Sequence, residues 1–117
     1  MVNLTGIHHV SINVTDLDTA VAFYTDVLGL ALDSTRPDLA VEGVWLNLPV
    51  GQLHLIVGDV PAASGQHFAV GVNDLDEAVA ELRGSGVEVR GPFPVGTARQ
   101  AFLSDPDGNA IELQAGR

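Results

Sequence analysis

Near the start of the chain, polar and apolar residues alternate, and the apolar residues that follow recur at helical spacing. Between His9 and Val14 every second residue is apolar, which is the period of a β-strand. After Asp16 the apolar residues recur at helical spacing, and Gly29 ends the run. These helical apolar positions are Leu17, Val21, Tyr24 and Leu28. The pattern therefore predicts a strand that leads into an amphipathic helix.

The same strand and helix pattern occurs a second time. Residues 9–22 align with residues 67–80, an offset of 67 − 9 = 58. The second helix has its apolar stripe at Leu75, Val79 and Leu82 and is followed by glycines. Asp16 and Asp74 precede the two helices, as N-cap residues do, and Glu77 completes a capping-box pattern with Asp74. The chain is therefore a duplication of one structural unit.

Short apolar runs separated by turn residues follow each helix. They are predicted strands at residues 44–48, 52–57, 87–89, 99–104 and 110–114. Residues 105–109 contain proline and glycine in favourable turn positions, so the last two strands should form a hairpin. Residues 61–66 join the halves. Each half is predicted to be a βαβββ module, one at about residues 5–60 and the other at about residues 65–115.

Length and composition favour one small globular domain. The 117 residues fit a single domain, and 46% hydrophobic against 17% charged residues is enough to form a core. No segment approaches the roughly 18 apolar residues of a membrane span, and residues 1–10 have no basic leader region. We expect a soluble cytoplasmic protein. The absence of cysteine excludes disulfides and thiolate metal sites, so any metal must bind nitrogen and oxygen ligands.

The chain is strongly acidic. Fifteen Asp and Glu face five basic residues, for a formal net charge of −10. Nucleic-acid binding is not expected, because phosphate neutralisation by basic side chains supplies most of that affinity. An acidic surface attracts metal ions and cationic ligands, and it also favours simple solubility.

Four residues of types that bind metals occupy repeat-related positions. Strand alternation places His9 and His67 on the face away from the helices. His54 and Glu112 lie on the strand faces opposite to their apolar neighbours. They are also equivalent in the repeat, since 112 − 54 = 58. A pseudo-twofold arrangement would bring all four side chains together. A single histidine on a strand is more often an ordinary polar residue, so the prediction depends on the set of four.

The predicted site has three imidazoles and one carboxylate. This donor set suits zinc, iron(II), nickel, manganese or cobalt, and four protein ligands on a six-coordinate ion leave two positions for substrate. Glu112 lies in an apolar strand, where an unpaired charge would be costly. The fourth histidine, His8, alternates with His9 and is expected to be structural, on the helix side. A divalent metal ion is therefore the predicted cofactor, and no organic cofactor is predicted.

These residues resemble the vicinal oxygen chelate superfamily, which includes glyoxalase I, bleomycin-resistance proteins and extradiol dioxygenases. The resemblance covers nearly the whole chain. It is carried by residues 8–10, 22–30, 65–70 and 105–109 and by Ile111, Glu112 and Leu113. It implies an α+β fold in which two βαβββ modules form a curved mixed sheet around a metal-containing cavity with the helices outside. The whole of residues 1–117 would be one such domain.

The resemblance also implies which residues bind the metal. Carried over position by position, the ligands are His9, His54, His67 and Glu112. The dioxygenases and the fosfomycin-inactivating thiol transferases use three of these positions, here His9, His67 and Glu112. Glyoxalase I commonly has a glutamate where this chain has His54. In relatives the site forms within one chain or across a dimer, and we expect a homodimer.

Three functions remain open at this point. The first is a metal-dependent lyase or isomerase that binds a small substrate through vicinal oxygens, with Glu112 moving a proton; Arg36 and Arg99 are the arginines nearest the expected cavity loops, residues 33–42 and 91–97, or else are ordinary surface residues. The second is an iron(II) ring-cleaving dioxygenase with His54 as acid or base. Its aromatic walls, or else core residues, would be Trp45, Phe93 and Phe102. The third is a non-catalytic protein that sequesters a cationic drug.

Overall fold

Both halves of the chain fold as βαβββ units. A computed structural model describes residues 1–116. It divides into unit 1, Met1–Pro61, and unit 2, which begins at Ala62. Each unit has a four-stranded mixed sheet and one α-helix, so the predicted α+β class and the βαβββ order are confirmed. The division falls in the segment that the sequence predicts as the connection between the halves.

Unit 1 has four strands. They are β1 (His9–Val14), β2 (Ala31–Asp33), β3 (Gly43–Asn47) and β4 (Gln52–Val57). Their order in the sheet is β1-β4-β3-β2, with β1 parallel to β4 and the other pairs antiparallel. Helix α1 (Leu17–Ala22) continues into a π-helical segment (Phe23–Val27). Gly29 follows with a positive φ of 78°, which favours glycine at the end of a helix.

Unit 2 repeats this topology. It consists of β5 (Phe68–Gly71), α2 (Leu75–Gly84), β6 (Arg90–Val95), β7 (Ala98–Ser104) and β8 (Ala110–Gly116). The sheet order is β5-β8-β7-β6, with β5 parallel to β8. Strands β7 and β8 form the predicted hairpin, and the Asp105 carboxylate accepts hydrogen bonds from the backbone of Asp107 and Asn109 in its turn. Each first strand therefore lies beside the last strand of its own unit.

Aspartate caps fix the start of both helices. Asp16 Oδ1 accepts a hydrogen bond from the Thr19 backbone N–H at 2.9 Å, and Asp74 Oδ1 accepts one from Glu77 N–H at 3.0 Å. The Thr19 backbone hydrogen bond is the main cause that lowers the pKa of Asp16. Both predicted N-caps are confirmed. The caps turn the chain from strand to helix at the same point of each repeat.

Alternation along the strands separates the core from the candidate ligands. Leu53 and Leu55 are almost fully buried on either side of His54 in β4, and Ile111 and Leu113 are buried on either side of Glu112 in β8. The buried apolar side chains of unit 1 are Val14, Ala20, Tyr24, Leu46, Leu53 and Leu55. Those of unit 2 are Leu75, Val79, Leu82, Val89, Ala98, Ala101, Leu103, Ile111 and Leu113.

Two strands differ from the sequence prediction. Strand β2 is not predicted by the hydropathy pattern, because three residues are too few to show an alternation. The run at residues 87–89 is not a strand; β6 begins at Arg90 and includes most of the predicted loop at residues 91–97. Gly91, Pro92 and Pro94 hide this strand in the sequence. Prolines are tolerated there because β6 is the edge strand of its sheet.

None of the helices in the part of the chain that the structure describes is long and apolar enough to cross a membrane.

Candidate metal centre

His9 and His54 form a pair in unit 1. Their rings stack with centroids 4.0 Å apart and an interplanar angle of 14°. The pairing of β1 with β4 sets Ser11 opposite His54, so His9 lies two residues before the partner position. Trp45 is the register partner of His54 on β3. Its ring stacks on the His54 ring with centroids 4.8 Å apart and an interplanar angle of 13°. His54 thus contacts a parallel ring from each neighbouring strand.

His54 is held in the neutral form that can act as a ligand. Burial is the main cause that lowers its pKa, and the nearby His9, His8 and Arg36 lower it further. Its Nε2 lies 2.9 Å from Gln52 Oε1, an amide oxygen that can only accept a hydrogen bond. Nε2 therefore donates to Gln52, and the other ring nitrogen, Nδ1, carries the electron pair. This histidine has one nitrogen in use and one available.

His8 differs from its predicted role. The sequence predicts a structural residue on the helix side, yet His8 is exposed and contacts His9. The two Nδ1 atoms lie 2.9 Å apart, and the rings meet edge to face with centroids 5.1 Å apart. His8 precedes β1, so the alternation that governs the strand does not govern its side chain. One Nδ1 must donate and the other accept, so His9 Nε2 carries an electron pair when His9 Nδ1 is the donor.

His67 and Glu112 form the second pair, in unit 2. His67 Nε2 lies 3.0 Å from Glu112 Oε1, and His67 Nδ1 lies 2.9 Å from the Gly65 carbonyl oxygen. The pairing of β5 with β8 sets Ala69 opposite Glu112, so His67 also lies two residues before the partner position. Glu112 is 9% exposed, and His67 is its ion-pair partner. The pair has the same place in unit 2 as His9 and His54 have in unit 1.

The hydrogen bonds of His67 determine what the gap to Glu112 can hold. The Gly65 carbonyl only accepts, so Nδ1 carries a hydrogen and donates it. Nε2 and Glu112 Oε1 then both have electron pairs directed at each other, and a positive species must lie between them. When His67 is protonated that species is its own proton; the Gly65 hydrogen bond and then the Glu112 contact raise the pKa of His67. A metal ion can take the place of this proton.

All four predicted ligands are brought into pairs, one in each unit. Within each pair one residue lies on the last strand of its unit, and the other lies in the first strand (His9) or directly before it (His67). The side chains present nitrogen or carboxylate oxygen, which suits the predicted divalent ions. Among residues 1–116 no group of three or more His, Asp or Glu side chains forms a ready metal site. The meeting of the two pairs around one ion stays a prediction.

The other residues singled out in the sequence have varied positions. Arg99 forms a two-point ion pair with Asp76 of α2, both contacts 2.9 Å, and both side chains are exposed, as in a surface ion pair. Arg36 donates to the Val41 carbonyl at 2.8 Å and affects the pKa of His54. Phe102 lies 5.8 Å from the His67 ring, edge to face. Phe93 is 43% exposed and belongs to neither the core nor a ligand pair.

Gln52 and its partners are connected to His54 by hydrogen bonds, and the sequence motifs do not include them. Gln52 Nε2 donates to Asp33 Oδ2 at 2.9 Å and to Asn47 Oδ1 at 2.8 Å, while Gln52 Oε1 faces His54. The sequence does contain a signal for Gln52, since it lies two residues before His54 and a strand places such residues on one face. Asp33 and Asn47 had no such signal, because their place depends on the pairing of β2 and β3.

The family of the chain is established by comparison with known proteins. The sequence profile of the Glyoxalase/Bleomycin resistance protein/Dioxygenase superfamily matches residues 6–113. The chain belongs to this superfamily, and the predicted resemblance is confirmed.

Similar proteins cover the chain over nearly its full length. An uncharacterized protein of Escherichia coli K12, YaeR, is 34% identical over 97% of this chain and 98% of its own length. The lactoylglutathione lyase of Salmonella typhimurium LT2 is 34% identical over 90% of this chain and 88% of its own. The crystal structure of a putative glyoxalase family protein from Bacillus anthracis matches with a TM-score of 0.87 and 27% identity, over 100% of both chains.

Proposed function

We propose that this protein binds one divalent metal ion through His9, His54, His67 and Glu112 and uses it as a glyoxalase-like lyase or isomerase. Its substrate would be a small molecule that chelates the ion through two vicinal oxygens. Membership of a superfamily whose members are commonly metal-dependent supports this proposal, as does the likeness to a lactoylglutathione lyase. The bound ion would act as a Lewis acid on the substrate oxygens.

One observation carries the proposal. The two ligand pairs have the same strand register. In each pair one residue lies on the last strand of its unit, and the other lies two residues before the first-strand residue that is opposite to it. In unit 2 the pair also directs two electron pairs at a single point between His67 Nε2 and Glu112 Oε1. A purely structural duplication would not require ligand-type side chains at all four positions.

Glu112 is the residue proposed to move a proton. Glu112 lies in an apolar strand with Oε1 beside His67, so its carboxylate is largely shielded from water. As a base, the Glu112 carboxylate would take a proton from the hydroxyl-bearing carbon next to a substrate carbonyl and return it to the former carbonyl carbon, while the hydroxyl proton would move to the former carbonyl oxygen. No net proton is gained or lost in such an isomerisation. His54 Nδ1, which holds an electron pair, is the second candidate for acid or base chemistry.

Metal binding is tested with the single tryptophan of the chain. Trp45 stacks on His54, so an ion at His54 should change its fluorescence. We expect the wild type to bind one zinc, nickel or iron(II) ion for each set of four ligands. His67→Ala should weaken binding at least tenfold, while Glu88→Gln, an exposed carboxylate change in unit 2, should leave it unchanged. Equal affinity of the wild type and His67→Ala would overturn the proposed centre.

Proton transfer is tested separately. We expect the metal-loaded protein to exchange the hydrogen next to a carbonyl of an α-hydroxy or α-oxo aldehyde adduct with solvent deuterium. Glu112→Gln should lower the exchange rate by roughly 10²- to 10⁴-fold, the usual contribution of a general base. Metal binding with no exchange, together with oxygen-dependent cleavage of a catechol by the iron form, would favour the dioxygenase instead.

Sequestration of a cationic ligand is the second candidate function. The net charge of −10 and the stacked rings of Trp45, His54 and His9 favour it, because flat cationic molecules bind to aromatic faces. Binding of such a drug to metal-free protein with unchanged affinity in His67→Ala would support this candidate. Loss of drug affinity on removal of the metal would support the metal-dependent proposal.

A homodimer is the proposed assembly. Each unit by itself carries two of the four proposed ligands, so a complete site needs one unit 1 and one unit 2. These can come from one chain or from two copies. Light scattering coupled to size-exclusion chromatography gives the mass, and a mass of one chain, 12.2 kDa, would contradict the dimer.

A further inference from the structure

A chain of hydrogen bonds leads from an acidic side chain to His54 in unit 1. Asp33 Oδ2 accepts from Gln52 Nε2 at 2.9 Å, and Gln52 Oε1 lies 2.9 Å from His54 Nε2. A second acceptor, Asn47 Oδ1, lies 2.8 Å from Gln52 Nε2. The three elements β2, β3 and β4 each supply at least one member. The amide of Gln52 thus bridges a carboxylate and a proposed ligand.

The ionised state of Asp33 determines the direction of these hydrogen bonds. The Thr35 hydroxyl and backbone N–H both donate to Asp33 Oδ1, and the hydroxyl bond is the main cause that lowers the pKa of Asp33. At neutral pH the carboxylate therefore only accepts. A Gln52 amide rotated by half a turn would bring its oxygen against Asp33 Oδ2 at the same distance, which is repulsive. Gln52 must present its NH₂ group to Asp33 and its oxygen to His54.

We propose that Gln52, oriented by Asp33 and Asn47, is a positioning residue that fixes His54 as the tautomer with hydrogen on Nε2. The electron pair of His54 is then on Nδ1 alone. The assignment of this tautomer holds for the metal-free protein. Its consequence, that His54 meets an ion or a substrate proton through Nδ1, rests on the proposed function.

The surroundings of the ring support a single orientation. His9 and Trp45 stack on opposite sides at interplanar angles of 14° and 13°, which restricts tilting of the imidazole out of its plane. Rotation of the ring by half a turn would replace Nε2 by a carbon beside Gln52 Oε1 and leave that oxygen without its ring donor. The ring plane and the nitrogen positions are therefore fixed by different neighbours.

In unit 2 the hydrogen of the histidine lies on the other ring nitrogen. His67 donates from Nδ1 to the Gly65 carbonyl and presents Nε2. The residue that corresponds to Gln52 in the repeat is Ala110, since 52 + 58 = 110. Glu112, the counterpart of His54, is a carboxylate with equivalent oxygens and has no tautomer to fix. The Gln52 arrangement is therefore specific to a histidine at position 54.

Nitrogen NMR of the metal-free protein tests the tautomer directly. With ¹⁵N-labelled histidine, we expect His54 Nε2 at the resonance position of a protonated ring nitrogen and Nδ1 at that of an unprotonated one. His54 is assigned by its loss in His54→Asn. Intermediate positions for both nitrogens would show a mixture of tautomers, and reversed positions would show hydrogen on Nδ1. Either of these results overturns the proposal.

Two variants test what fixes the tautomer. Gln52→Leu removes the acceptor, and Asp33→Asn allows the Gln52 amide to rotate because asparagine can also donate; both should move the His54 nitrogens toward intermediate positions. Asp38→Asn, a matched change at an exposed site in the β2–β3 connection, should move neither. Wild-type positions in both test variants would overturn the role of Gln52. Unchanged resonances of His67 would show that each variant still folds.

Addition of zinc separates this inference from the proposed function. If His54 is a ligand as inferred, zinc should shift Nδ1 strongly while hydrogen stays on Nε2. Loss of the Nε2 hydrogen with zinc bound there would overturn the inference about Nδ1. No change at His54, with the tautomer of the metal-free protein intact, would remove His54 from the proposed metal site and leave the tautomer assignment standing.

Discussion

At the scale of single residues, the space between His67 Nε2 and Glu112 Oε1 can hold one positive species, a proton or a metal ion. Nδ1 of His67 is committed to the Gly65 carbonyl, so the proton or ion must lie on the Nε2 side. A proton and a metal ion therefore compete for the same electron pairs. Any measurement of metal binding to this protein should depend on pH.

The pKa of His67 should fall when Glu112 loses its charge. In metal-free protein, proton NMR titration of the His67 ring should give a lower pKa in Glu112→Gln than in the wild type, because the charged acceptor is gone. Part of the upward shift should remain, since the Gly65 carbonyl is its largest cause. Glu88→Gln should leave the titration unchanged. An unchanged His67 pKa in Glu112→Gln contradicts the observed contact.

The raised pKa of His67 also has a defined effect on stability. Protonated His67 stabilises the fold, and this contribution is fully present below the pKa of a histidine in the unfolded chain. It is lost as pH rises through the raised pKa of folded His67. Thermal unfolding across that range should show a smaller decrease in Glu112→Gln than in the wild type. Metal affinity should change in the opposite direction and increase with pH.

The sequence identifies the four residues but not the way in which they pair, nor all of their contacts. His67 directly precedes β5, and only its repeat relation to His9 predicts its place. Alternation within strands is enough to place His9, His54 and Glu112, because a strand has a period of two. It does not place His8, which precedes the strand. Nor does it show the hydrogen bond of His67 to Gly65, which depends on the conformation of the connecting loop.

At the scale of elements, each strand-to-helix change depends on one aspartate. Asp74→Ala removes the acceptor for Glu77 N–H and should lower the free energy of unfolding by about 1 kcal/mol. Chemical denaturation measures the change. Glu81→Ala, an exposed substitution in the body of α2, is the control and should be nearly neutral. Equal stability of Asp74→Ala and the wild type would mean that the cap contributes nothing.

Strand β4 has a face in the core and a face with the proposed ligand. Leu55 is fully buried, and Leu55→Ala should lower the free energy of unfolding by about 2–5 kcal/mol through lost burial and a cavity. Val50→Ala, at a side chain that is 90% exposed, should change it by less than about 0.5 kcal/mol. A small effect at Leu55 would show that the orientation of β4 differs from the one described.

Element boundaries follow the sequence where the pattern is long. Strand β4 and both helix starts agree with the hydropathy period and the caps. Strand β6 does not, because Gly91, Pro92 and Pro94 replace the residues that usually mark a strand. Its pairing with β7 supplies the backbone hydrogen bonds that its local sequence does not predict.

At the scale of the whole molecule, metal binding should stabilise the folded chain. Free zinc at about 100 times its dissociation constant should add about 2.7 kcal/mol, which raises the Tm by roughly 10 °C for a chain of this size. His67→Ala should abolish most of this increase. Calcium, which prefers oxygen-rich sites, is the control for adhesion to the acidic surface. A similar increase with calcium would indicate such adhesion.

A mixing experiment shows which copies supply the two pairs. One variant carries His9→Ala and His54→Ala, and the other carries His67→Ala and Glu112→Gln. If sites form between two chains, a mixed dimer regains one intact site, because one chain keeps the first pair and the other keeps the second. If sites form within a chain, mixing restores nothing. Zinc titration of the separate and mixed variants distinguishes the two arrangements.

Of the two pairs of equivalent ligand positions, one differs between the repeats: the first repeat has His54 and the second has Glu112. A dication held by three neutral imidazoles and one carboxylate would keep one formal positive charge, whereas a second carboxylate would cancel it. In the proposed site, this residual charge would favour substrates that bring an anionic oxygen of their own. Exchanging His54 for glutamate should therefore alter the preferred substrate charge as well as the preferred ion.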